Sequence, residues 1–330
     1  MSDGGAADRS TVVRAVFFGS GGFAVPILDA LAAVPGVSVM AVVSAPDRPV
    51  GRKAIVTPTP VAARARALGL PLQQPIRVRR PEAVAALAAL APDVAVLADY
   101  GQLIPRPLLD LPARGFLNLH PSALPRWRGA APIPATLLAG DAESAVTLMV
   151  VTEEMDAGPI VAVEPLEVRI DDTAESLEGR ASTAAARLLA RALPEWLAGR
   201  LAARPQPTEG ATVTRPLRRE DGKLDPERPA VELERRVRAY QPWPGSYLEV
   251  RGIRLIVWKS HVAPVEPGDA AGRLVATLDG GLALTAVGGR LALDEVQIAG
   301  GRRMSAAELL RGRPNLVGFA PARVRPSGRV

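Results

Sequence analysis

The first half of the chain alternates short apolar blocks with glycine-, proline- or charge-bearing breaks. Val12–Phe18 is an almost unbroken apolar run, and Gly19-Ser20-Gly21-Gly22 interrupts it. A helical pattern follows from Ala24 to Ala33 and stops at Pro35-Gly36, before a second apolar run, Val37–Val43. Strand, tight turn, helix and strand in that order form the repeating unit of a doubly wound α/β sheet. Helical spacing recurs over Val61–Leu68 and Pro81–Leu90, where Pro81 suits a first helical turn. Val94–Leu97 reads as the next buried strand, Thr136–Ala139 as a helix, Ala145–Val150 as a strand and Ser176–Leu197 as one or two helices.

Gly199–Gly210 mixes proline, glycine and polar residues and reads as a joint. After it the pattern changes. Val231–Ala239 is helical, and five short strands follow at Tyr247–Val250, Ile253–Trp258, Arg273–Leu278, Leu282–Ala286 and Leu291–Val296. Such spacing predicts a small β-barrel, of the oligonucleotide-binding type or a partly open relative packed on the helix. The expected division is a first domain over 1–198, a linker over 199–212 and a second domain over 213–330.

Composition narrows the function classes. A chain of 330 residues has room for about two cores. No apolar run is long enough to span a bilayer, and the first nine residues lack the basic start and apolar stretch of a secretion signal. Cysteine is absent, which excludes disulfides, thiolate metal sites and cysteine nucleophiles, so a cytoplasmic location is expected. The net charge of +6 is unevenly distributed: residues 213–330 carry a surplus of +7, and residues 1–212 carry −1. A polyanionic partner would therefore meet the second half.

The sequence Asn118-Leu119-His120-Pro121 holds one of only two histidines. It follows Gly115-Phe116-Leu117, the approach of a short buried strand, and period-two geometry places the Asn118 and His120 side chains on one face. Pro121 ends the ladder, and Ser122–Gly129 is expected to be loop. An amide and an imidazole at a strand end can stabilise an oxyanion and manage a proton. A histidine with that task needs an orienting acceptor. Asp156, beside Gly158, is one choice; Glu153 and Glu154 are others that spacing alone leaves open. No second histidine lies near enough for zinc, and His261 has no evident partner. Gly19-Ser20-Gly21-Gly22-Phe23-Ala24 lacks the sixth-position glycine of a dinucleotide fingerprint, so it predicts a turn for close ligand approach. Arg48-Pro49-Val50-Gly51-Arg52-Lys53 forms a basic loop, and Arg48, Arg52 and Lys53 are candidate phosphate contacts.

Four motifs carry a resemblance over nearly the whole chain: Asn118 through Ile133, Asp156-Ala157-Gly158, Pro46 through Arg52, and Pro242-Trp243-Pro244-Gly245. Through them the chain resembles the 10-formyltetrahydrofolate-dependent formyltransferases, and among these the methionyl-tRNA formyltransferases. The resemblance implies a Rossmann-like formyltransferase domain followed by a tRNA-binding barrel. It further implies formyl transfer from 10-formyltetrahydrofolate to the methionine amino group of methionyl-initiator tRNA, without a metal. The implied catalytic residues are Asn118, His120 and Asp156; Tyr100, Gly101 and Ser122, Ala123, Leu124 and Pro125 are the implied folate contacts, and Arg52 is implied to approach the tRNA acceptor end. A cytoplasmic monomer, apart from membranes, is expected. A related transferase acting on a sugar-nucleotide or other small amine is the alternative. Ala123, Asp99 and Gly19-Ser20-Gly21 depart from the family pattern, and Asp99 is expected to alter packing or the folate pocket.

Overall fold

The computed structural model describes residues 12–51 and 54–322. The chain forms two compact units. One comprises the chain up to Gly129, with Glu143–Glu167 and Glu178–Val213; the other comprises Ala130–Ala142, Val168–Leu177 and the chain from Thr214 on.

A seven-stranded sheet organises the first unit. Its strands are β1 (Val13–Gly19), β2 (Val37–Val43), β3 (Leu72–Gln73), β4 (Val94–Ala98), β5 (Phe116–His120), β6 (Glu143–Val150) and β7 (Ile160–Glu167). Their spatial order is β7-β6-β5-β4-β1-β2-β3. The β1, β2, β4 and β5 pairings are parallel, as expected for apolar strands joined through helices. Strands β5, β6 and β7 pair antiparallel, so the sheet is mixed. The sequence reading missed β7. It alternates buried and open positions and contains Pro165, a combination tolerated at the sheet edge it occupies.

Helices follow the strands: α1 (Val25–Ala32), α2 (Pro60–Ala67), α3 (Pro81–Ala88) and the short α4 (Arg106–Leu109). The Thr59 hydroxyl caps α2 by accepting from the Ala62 N–H at 3.0 Å. Val16, Phe18, Val43, Leu87, Leu108 and Phe116 interlock in one buried cluster. Each fully buried Val, Leu or Phe contributes roughly 1.5–3 kcal/mol relative to exposure.

The second unit contains α5 (Pro132–Ala139), which opens on proline and closes at Gly140 with φ +73°. The one long helix α6 (Ala174–Leu197) belongs to the first unit from Glu178 onward, where the Ser182 hydroxyl donates to the Phe23 carbonyl at 2.7 Å. In the second unit, α7 (Ala230–Ala239) sends Arg235 to the Ala139 carbonyl at 3.1 Å. A Cβ on Gly140 would stand 2.2 Å from that guanidinium, so the close approach needs glycine.

The rest is a curled antiparallel sheet of half-barrel, oligonucleotide-binding-like form. Its strands are β8 (Ser246–Val250), β9 (Ile253–Ala263), β10 (Leu274–Ala276), β11 (Leu282–Ala286), β12 (Gly289–Ile298) and β13 (Arg303–Ser305). The order is β8-β9-β12-β11-β10, with β13 on β12. Leu233, Val237, Leu248, Val257, Leu284 and Leu291 fill its core. The two edge strands are linked by the chain's later part. Leu274 on β10 exchanges hydrogen bonds with Phe319 and Gly318, while the Ala322 N–H donates to the Glu249 carbonyl on β8. Neither β13 nor α8 (Ala306–Gly312) was expected from the pattern.

Candidate active site

Strand β5 is buried from end to end, and its last alternate positions place Asn118 and His120 together, with only 6 % and 4 % of their surfaces exposed. Opposite them stands Asp156, in the loop between β6 and β7, with a left-handed backbone at φ +50°. One carboxylate oxygen, Oδ1, accepts from Asn118 Nδ2 at 3.2 Å. The other, Oδ2, accepts from the Gly129 N–H at 2.8 Å and lies 3.7 Å from His120 Nδ1. These three sequence-predicted residues therefore meet. Glu153 and Glu154 are exposed, and Glu154 instead lies 3.7 Å from Arg128.

The imidazole's closest hydrogen-bond partner is a backbone group. Its Nε2 is 2.9 Å from the Trp127 carbonyl. A carbonyl can only accept, so the Nε2 proton is fixed there, leaving Nδ1 on the carboxylate side as the nitrogen that can gain or lose a proton. Trp127, at φ +62°, is held in turn by its N–H donating to Thr212 Oγ1 at 2.8 Å. Arg128 N–H donates to the Thr212 carbonyl at 2.9 Å, so the expected loop ends in a two-residue bridge at Arg128–Gly129. Neither the Trp127 carbonyl nor the Gly129 N–H leaves a mark in a sequence.

The candidate folate residues fall into two places. Tyr100 and Gly101 line a cavity of about 660 Å³ with Ser20, Arg48, Arg77 and Asp99. It sits beyond the carboxyl ends of β1, β2 and β4, where the strand order reverses and ligands of α/β sheets gather. Tyr100 packs edge-on against Phe18, its buried hydroxyl has no hydrogen-bond partner, and burial pushes its pKa up to about 12. Asp99, at φ +47°, accepts from the Gly21 N–H. Desolvation by surrounding protein still raises its carboxyl above the usual range, although the open cavity leaves the residue solvent-accessible. A Cβ on Gly21 would stand 1.6 Å from Asp99 Oδ2, so a side chain at this departure from the family pattern would displace the Asp99 carboxylate from the Gly21 N–H.

The segment Ser122–Pro125 does not line that cavity. The Ser122 hydroxyl donates to the Arg126 carbonyl at 2.7 Å, its own carbonyl accepts from Thr147 Oγ1 at 2.7 Å, and Leu124 is buried; Ala123 is exposed. Arg48 stands on a short hairpin, Arg48–Val50 with Ile55–Thr57, while Arg52 and Lys53 lie outside the described residues. His261, read as unpartnered, instead bonds Asp294 through Nδ1 at 2.9 Å on the exposed face of the second unit's sheet. Among the described residues no group of three or more His, Asp or Glu is arranged to hold a metal, and no helix is long and apolar enough to cross a membrane.

Comparison with known proteins gives two consecutive family matches, formyl transferase over residues 13–193 and the formyl transferase C-terminal domain over 216–314. A methionyl-tRNA formyltransferase of Halorhodospira halophila is 44% identical over 300 residues, spanning 91% of this chain and 96% of the relative. The methionyl-tRNA formyltransferase of Thermus thermophilus is 44% identical over 305 residues, 91% and 96% respectively. Among solved structures, an N-formyltransferase of Helicobacter canadensis, in complex with folinic acid and dTDP-3-aminofucose, superposes with TM-score 0.62 at 14% identity. That match covers 85% of this chain and 98% of the other. HypX of Aquifex aeolicus superposes with TM-score 0.59 at 17% identity, over 96% of this chain and 52% of its own. At such identities the structural matches speak for the fold.

Proposed function

The chain belongs to the formyl transferase family, and we propose that it moves the formyl group of 10-formyltetrahydrofolate to the methionine amino group of methionyl-initiator tRNA, for translation initiation. The acceptor follows from the relatives, whose similarity runs through both units. The observation that carries the chemistry is the convergence of Asn118, His120 and Asp156, 3.2 Å and 3.7 Å apart through the carboxylate.

10-Formyltetrahydrofolate supplies an activated one-carbon unit. The residues present suit it: Tyr100 offers a buried, unpartnered hydroxyl beside an open cavity at the sheet's switch point. Tyr100 and Gly101 hold the folate at that cavity, and Ser122, Ala123, Leu124 and Pro125, which stand apart from its lining, are the further folate contacts of this reading. Asn118 keeps one Nδ2 proton on Asp156 and has a second to donate to the formyl oxygen as negative charge develops there. His120 takes the amine's proton at Nδ1, directly or through water, because Nε2 is committed to the Trp127 carbonyl, and gives it up to N10 of the folate as the formyl C–N10 bond breaks and tetrahydrofolate leaves. The Asp156 carboxylate stabilises the resulting imidazolium across 3.7 Å. Arg48, Arg52 and Lys53, with the basic stretch over 213–330, position the RNA through phosphates. Domain limits at 198 and 213 are part of this reading.

The test is transfer of labelled formyl from 10-formyltetrahydrofolate to methionyl-initiator tRNA, with uncharged tRNA as control and His120→Ala as variant. Label on the methionine amine, reduced about 10²–10⁴-fold in the variant, is expected. Label on a small amine with none on the tRNA would move the function to a sugar-nucleotide transferase.

A further inference from the structure

We propose that Gln206 is a positioning residue that holds the loop bearing Asp156, an inference resting on the reading that Asn118, His120 and Asp156 carry the reaction. Gln206 lies in the proline-rich stretch whose composition suggests a mere joint. Its Nε2 donates to two carbonyls, those of Asp156 and Gly158, both at 2.8 Å. Its Oε1 accepts from Arg128 Nε at 3.0 Å. The amide orientation is forced, since both carbonyls only accept and the guanidinium only donates. One side chain thus clamps the Asp156 loop from one side and the Trp127-Arg128-Gly129 turn from the other.

The clamp matters because both segments deliver contacts to the reacting groups. The turn supplies the Trp127 carbonyl under His120 and the Gly129 N–H on Asp156 Oδ2. The loop supplies the carboxylate from a left-handed residue, a backbone conformation that side chains adopt sparingly and that surrounding contacts must hold. Two adjacent carbonyl tethers on Gln206 are suited to impose it. The competing view is that Gln206 only ties residues 199–210 to the rest of the unit.

Gln206→Glu separates the two views. The carboxylate keeps Oε1 facing Arg128, as an ion pair, so a tether survives. Its second oxygen confronts the two carbonyls that the amide held, so the loop is released. The expected outcome is a kcat about 10–100-fold lower, with the KM for 10-formyltetrahydrofolate within about threefold and the melting temperature nearly unchanged. Gln206→Met, of similar length but without the hydrogen bonds, should match it in kcat. A kcat within twofold of wild type in Gln206→Glu would overturn the proposal, as would failure of both variants to fold.

A second readout needs no acceptor. The chain has two histidines, so ring ¹⁵N spectra give one reporter in the site and one, His261, on the other unit. In Gln206→Glu the His120 signals should move and those of His261 stay. Unmoved His120 signals refute the clamp. A wild-type enzyme that transfers nothing to methionyl-tRNA, while His120 still responds to the substitution, refutes the function and leaves the clamp standing.

Discussion

At the level of single residues, the site separates into what a sequence can and cannot announce. Asn118 and His120 were legible because a strand repeats every two residues, so a polar pair at i and i+2 on an apolar strand declares a shared face. Asp156 was one of three carboxylates in its loop, and only family resemblance singled it out; its φ of +50° is what turns it inward. The Trp127 carbonyl and Gly129 N–H belong to the backbone and have no residue signature. Asn118→Ala should lower kcat about 10²–10³-fold, the usual loss when one oxyanion donor is removed, with secondary structure intact by circular dichroism. Asp99 gives a prediction with a sign. Desolvation raises its carboxyl in the folded protein, so the native state holds that proton more tightly than the unfolded chain does. Stability is then lost as pH rises from the ordinary carboxylate range through the raised value. Asp99→Asn can still accept from the Gly21 N–H and carries no such loss. Denaturant melts should show it more stable than wild type at about pH 7, with the gap closing toward about pH 4. A gap independent of pH would remove the ionisation argument.

Among the elements, apolar runs located the strands well where both faces are buried: the expected Val37–Val43 and Leu282–Ala286 coincide with β2 and β11. Edges were less legible. β7 shows an exposed Glu167 and an exposed proline, Pro165, so its composition resembles loop although its backbone pairs with β6. The start of α8 did carry a signal: Ser305 accepts from the Glu308 N–H at 3.1 Å, the first half of a capping box. The β6–β7 connection carries Asp156, so the proposed mechanism makes activity sensitive to its position. A Cβ at Gly158 would stand 1.8 Å from the Val150 carbonyl, a backbone atom that cannot swing aside. Gly158→Ala must therefore shift the loop two residues beyond Asp156. A displacement of about 1 Å is enough for a roughly 10²-fold loss in kcat, and a crystal structure of the variant should show the carboxylate withdrawn from Asn118. Full activity with the loop in place would mean that the connection relaxes elsewhere.

For the whole molecule, the informative quantity is the uneven charge, +7 over residues 213–330 against −1 over 1–212. Net charge says nothing about fold, but it does say how a chain meets a polyanion. On the proposed mechanism, transfer to a small amine would need only the groups around β5 and the cavity at the switch point, all in the first unit. Under the proposed function the basic stretch over 213–330, superfluous for that task, serves to hold the RNA. Binding of methionyl-tRNA should therefore weaken steeply with salt: neutralising about six phosphates implies a fall on the order of 10³-fold between about 50 and 200 mM. Affinity for 10-formyltetrahydrofolate, which the proposed function assigns to the first unit, should change far less over the same range. Isothermal titrations at several salt concentrations give both slopes on one preparation. A shallow slope for tRNA would mean that the basic surplus faces solvent, and would return the small-amine acceptor to first place even with Asn118, His120 and Asp156 as they stand.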